Sequence, residues 1–137
     1  MFRIKRQTDY AVRVILALAQ APAGSRLTTG AIQERMQIPR AFLQRIVAQL
    51  AQSALIRTFP GREGGLQLSR KPEDITLRDV VESIEGPMMI SECLPGEAFC
   101  PFEEHCPVRR RWARLQSVIL RELSSTNFAD LAKEVAG

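Results

Sequence analysis

Histidine is nearly absent: His105 is the only one among 137 residues. No side chains pair a nucleophile with a base in a recognisable pattern, so we expect no enzyme. Long apolar runs are missing too. A membrane-crossing helix needs about 18–20 apolar residues in succession, and the most apolar early stretch, Ala11 to Ala21, is interrupted by Arg13 and Gln20. No charged start leads into a short apolar segment with a small-residue cleavage site, so no secretory leader is expected. These absences point to a cytoplasmic protein with no membrane partner. Cysteine is scarce and odd in number, with Cys93, Cys100 and Cys106 alone. That argues against a disulfide framework. The chain has no internal repeat and no low-complexity tract.

What is present is ordinary in bulk and uneven in charge. Hydrophobic residues make up 45% of the chain, a typical share for a globular domain with a core. The net charge of +4 conceals two halves. Residues 1–71 hold 12 Lys/Arg against 3 Asp/Glu, a balance of +9, and residues 72–137 hold 7 against 12, a balance of −5. A basic half suits a polyanion, because neutralising phosphates releases counterions; a solvated basic surface is the plainer alternative.

The periodicity is mainly helical. Thr8 is placed to cap a helix reaching about Gln20, with Ala11, Val14, Ile15 and Leu18 on one face. Thr28 or Thr29 starts a second helix to about Met36, and Gln37-Ile38 forms a turn without the usual glycine. Pro39 suits the first position of a third helix, to about Gln52. Its inner face is Leu43, Ile46, Val47 and Leu50; Ala41, Gln44, Arg45, Ala48 and Gln52 point the other way. This is a helix-turn-helix pattern. Leu55–Phe59 and Leu66–Ser69 read as strands around the turn 60–65, a hairpin placed as a wing. Thr76 and Asp79 form a capping box for a further helix that stops at Gly86-Pro87. No period holds from Met88 to Cys106. Pro107 opens a long helix with Val108, Trp112, Leu115, Ile119 and Leu123 in one stripe, either internal core or a dimer seam, and a short helix near Phe128–Val135 ends the chain. The fold class is therefore mainly α: a winged helix-turn-helix with a small hairpin and a long C-terminal helix.

Two constellations carry chemistry. Base edges in the major groove are read by donors and acceptors near the start of a recognition helix. Gln44 suits adenine, and Arg40 or Arg45 guanine, with Ala41 beside them. Arg62 and Gly64 at the wing, and Arg3, Lys5 and Arg6 ahead of the first helix, are placed for phosphate or minor groove. The bland alternative is a set of solvated charges. The second constellation is Cys93-x6-Cys100-x5-Cys106, three thiols within 14 residues. Soft sulfur selects iron–sulfur clusters, zinc or copper(I), and the close Cys-x2-4-Cys pairs of structural zinc sites are absent. Redox-sensing or buried free thiols are the alternatives. Arg109, Arg110, Arg111 and Arg114 crowd the start of the long helix against its dipole, where an anionic neighbour helps.

The chain resembles the Rrf-type family of winged-helix iron–sulfur transcription regulators over essentially its whole length. The carriers are Thr8 to Arg13, Phe42-Leu43-Gln44-Arg45-Ile46, Gly64-Gly65-Leu66-Gln67-Leu68, Pro72 to Leu77, and Ile84-Glu85-Gly86-Pro87. The resemblance implies a homodimer paired through the long helices on palindromic double-stranded DNA. It also implies an iron–sulfur cluster on the three cysteines. In the nitric-oxide-sensitive branch an aspartate from the partner's first helix completes a [4Fe-4S] cluster, and Asp9 stands at that position. Another branch uses a histidine three residues past the last cysteine on [2Fe-2S]; here that residue is Arg109. The resemblance thus favours [4Fe-4S], and a DNA-binding regulator, a repressor, that senses nitric oxide, redox stress or iron status. Residues 1–75 would form the DNA-binding region and 76–137 the cluster loop and dimer helix, within one compact domain. The alternative is a thiol-redox or zinc-stabilised interaction protein without a cluster.

Overall fold

The computed structural model describes residues 3–62, 64–91, 94 and 105–134. The first helix, α1 (Arg6–Gln20), runs through the centre and buries Ala11, Val14, Ile15 and Leu18 as their spacing requires. It begins ahead of Thr8. Lys5 occupies the cap position without a side-chain cap bond, and Thr8 is a fully buried residue inside the helix. The cap assigned to Thr8 is thus corrected. Its hydroxyl donates instead to Glu85 Oε2, 2.6 Å away.

The second helix, α2 (Thr29–Met36), is capped by Thr28, whose hydroxyl oxygen accepts the Ala31 N–H at 3.1 Å. The turn manages without glycine because Gln37 adopts the left-handed conformation, φ 54 and ψ 47. Its side-chain amide donates to the Glu34 carbonyl at 2.7 Å, local compensation for an unfavourable backbone. Ile38 then plugs into the core. Pro39 is the cap residue of α3 (Arg40–Gln52), one place earlier than its sequence reading. It still supplies extended backbone where no N–H is needed.

The wing is β1 (Ile56–Phe59) paired antiparallel with β2 (Gly65–Leu68), Ile56 opposite Leu68 and Phe59 opposite Gly65. Leu27 adds a third edge: its N–H donates to the Leu66 carbonyl at 3.0 Å, and the Leu66 N–H returns a bond to the Leu27 carbonyl at 2.7 Å. Two glycines permit this. A Cβ at Gly64 would sit 1.9 Å from the Phe59 carbonyl oxygen, and one at Gly65 2.7 Å from that of Leu27.

After a single 3-10 turn at Pro72–Asp74, α4 (Leu77–Glu85) carries the expected capping box between Thr76 and Asp79. Gly86 ends it at φ 80. The long helix α5 (Pro107–Ser125) lies against α4. The last helix, α6 (Phe128–Lys133), is capped by Asn127 and returns to α1, with Phe128 fully buried in the shared core. That core joins α1, α2, α3, the wing and α4, and each large side chain in it contributes about 1.5–3 kcal/mol of burial.

Candidate nucleic-acid interface

The rotation of α3 decides what it presents. Leu43, Ile46 and Leu50 are buried beneath it, so Arg40, Ala41, Gln44 and Arg45 must face outward, and all four are exposed. They occupy its first six residues, where a helix entering a major groove meets base edges. Gln49, nearer the inner side, accepts a bond from the Gln7 side-chain amide at 2.6 Å and ties α3 to α1.

The charges of this face are unspent. Among the described residues, the ion pairs are Arg13 with Asp9, Arg70 with Asp79 and Arg78 with Glu82. Lys5, Arg6, Arg40, Arg45 and Arg62 enter none of them, and all five are exposed. Arg62 stands in the wing turn. Gly64 is buried below it, where the turn requires the absence of a side chain. Arg26, beside the Leu27 bridge, is also exposed, its guanidinium carbon 3.5 Å from the Phe59 ring centroid.

The first turn of α1 connects three places. Gln7 reaches α3, Thr8 reaches the end of α4, and Asp9 pairs with Arg13 at 3.0 Å with half of its side chain exposed. Cys106 is half-buried at the cap position of α5, with no side-chain cap bond. Cys93 and Cys100 lie outside the described residues. Among those that are described, no three His, Cys, Asp or Glu side chains gather as a metal site.

The sequence matches the Rrf2 family, described as iron-dependent transcriptional regulators, across residues 4–134. The chain belongs to the Rrf2 family. This Rrf2 chain is 31% identical to protein aau3 of Rhizobium meliloti (strain 1021), over 96% of its own length and 85% of that protein's. It is 28% identical to YwgB of Bacillus subtilis (strain 168), over 97% and 88%. Among solved structures it is similar to CymR, the global cysteine regulator of B. subtilis, with a TM-score of 0.79, 26% identity and coverage of 96% and 97%. The fold is also that of T. potens IscR, with a TM-score of 0.77 at 22% identity over 99% and 94%. Membership makes the protein a DNA-binding transcriptional regulator rather than an enzyme, with a winged-helix fold. No helix among its described residues is long and apolar enough to cross a membrane.

The outward set on α3 was legible because it follows helical period. The contacts of Arg26 and Gln49 were not legible. Each depends on a residue more than 30 positions away, so no local spacing reveals it. The stripe on α5 is resolved in part. Val108, Trp112 and Leu115 remain exposed, at 50%, 42% and 38%, while Ile119 and Leu123 are half-buried.

Proposed function

We propose that this regulator represses transcription as a homodimer on a palindromic operator, with its DNA affinity set by an iron–sulfur cluster. Arg40, Ala41, Gln44 and Arg45 enter the major groove, and Arg62, Lys5 and Arg6 hold the flanking backbone. The dimer closes along α5. That helix has 19 residues and fully buries none of them within one chain, although it lies against α4, and helices in proteins draw most of their stability from packing an apolar face. A second copy laid on Val108, Trp112 and Leu115 removes this apolar face from water.

The observation that carries the switch is the seat of Cys106 at the N-terminus of that same helix. A ligand held there is joined directly to the dimer element. The donor set suits the group: a thiol is a soft ligand, and an anionic thiolate-bound cluster is favoured both by the positive end of a helix and by Arg110 and Arg111 in its first turns. Cys93, Cys100 and Cys106 would hold the cluster, with Asp9 of the partner subunit as fourth ligand and [4Fe-4S] as the type. When bound, the cluster supplies a site that nitric oxide, oxygen or iron loss destroys. The protein's part is mechanical: Thr8 and Glu85 fasten α1 to the end of α4, and Gln7 and Gln49 fasten α1 to α3.

A cluster-free reading has its own support in the likeness to CymR, a cysteine regulator, at 26% identity. In that reading the three thiols act by oxidation. Anaerobic purification followed by absorbance, iron and sulfide analysis separates the two. The operator is first selected from a random duplex library, and binding by cluster-loaded and cluster-free protein is then compared. About four irons and four sulfides per chain, the [4Fe-4S] content, with unequal operator affinities is the expected result. Zinc or no metal, or equal affinities, would overturn the cluster switch.

A further inference from the structure

We infer that Arg26 is a phosphate-binding residue of the DNA interface, held in position by the wing through Phe59. The inference rests on the reading of α3 and the wing as the DNA-facing side. Arg26 precedes Leu27, whose two backbone bonds with Leu66 fix this part of the chain against β2. Its guanidinium carbon lies 3.5 Å from the centre of the Phe59 ring, within the range of a cation–π contact. The register explains the space. Phe59 is paired with Gly65, so the ring has no cross-strand side chain beside it, and the arginine takes that place.

Stacking uses the flat face of the guanidinium and leaves its N–H edge available. Arg26 is exposed and enters no ion pair among the described residues. Phe59 ties the pair to the wing. Phe59 lines a notch of about 250 Å³ together with residues that include Thr28 and Thr29 at the start of α2, Val47 of α3, and Gly61 of the wing turn. The wing residue that holds Arg26 thus neighbours both the start of α2 and α3. A cation pinned to the wing, away from the outer face of α3, contacts backbone rather than bases. It positions the duplex without reading it.

The occupant is the phosphodiester of double-stranded DNA, and the salt dependence of binding reports it. Each neutralised phosphate contributes about 0.9 to the slope of log affinity against log salt. Binding of a labelled random-sequence duplex and of the selected operator is measured over a salt series for wild type, Arg26→Ala, Arg26→Met and Phe59→Leu. Arg26→Met keeps a long side chain on the ring without charge, so it separates the contact from wing stability. Both Arg26 variants should lower the slope by about 0.9 and weaken both duplexes by the same factor. Phe59→Leu keeps the charge and should give a smaller loss. An unchanged slope in Arg26→Met, or a loss confined to the operator, overturns the assignment. Arg45→Ala is the control for the underlying reading: if it leaves operator preference intact, the recognition face fails, whatever Arg26 does.

Discussion

Replacing Gly65 by alanine puts a methyl carbon 2.7 Å from the Leu27 carbonyl oxygen on a backbone at φ +134. Two costs add. A non-glycine residue held in such a region carries about 1–3 kcal/mol of strain. The steric conflict also parts Leu27 from Leu66, whose two hydrogen bonds contribute about 1 kcal/mol each. The sum of about 3–5 kcal/mol is large against the roughly 5–15 kcal/mol that holds a domain of this kind together. For 137 residues the unfolding entropy is about 0.3 kcal/mol/K, so each kcal/mol moves the melting temperature by about 3–4 °C. Gly65→Ala should therefore melt about 10–20 °C below wild type. Gly24→Ala is the matched control: its φ is +76, but nothing lies within 4 Å of the added methyl. It carries only the conformational cost of about 1–2 kcal/mol and should lose about 3–8 °C. Thermal unfolding followed by far-ultraviolet circular dichroism reads both. Equal losses in the two variants would refute the role of the Leu27–Leu66 edge, as would full DNA affinity in Gly65→Ala.

Gln44→Ala and Arg45→Ala should each weaken operator binding by about 5- to 150-fold with random duplex nearly unaffected; equal losses on both DNAs would remove them from base reading. Leu115→Asp should shift the protein toward monomer in sedimentation equilibrium, and an unchanged mass would exclude α5 as the seam. Asp9→Ala should alter the absorbance of cluster-loaded protein or its rate of reaction with nitric oxide, and an identical spectrum and rate would remove Asp9 from the ligand set. Thr8→Val preserves shape but deletes the bond to Glu85, so urea denaturation should register a loss of about 0.5–1.5 kcal/mol, and a further Glu85→Gln change should add little.

What could be read in the residues is what short-range physics decides. The inner faces of α1 and α3, the capping box at Thr76 and the stop at Gly86 follow from period and local hydrogen bonding, and the structure has them in place. Thr8 was misread because its partner, Glu85, lies 77 positions away; a tertiary bond took a hydroxyl that composition assigns to a cap. The turn between α2 and α3 looked deficient without glycine because Gln37 replaces that freedom with an amide bond to Glu34, which residue type alone does not announce. In the candidate site, the outward set on α3 emerged from period. Arg26 needed the register of the hairpin, and the stripe on α5 could not be told from core until its neighbours were known.

Under the proposed dimer, the uncovered face of α5 would also make the regulator responsive to its own abundance. With the seam supplied by a second copy, the DNA-competent species would grow with the square of chain concentration while monomer predominates. Halving the number of chains then cuts operator occupancy by up to about fourfold in the dilute regime. Gene dosage and turnover of the protein would act on promoter output as strongly as a modest change in contact energy, with no side chain altered at the DNA.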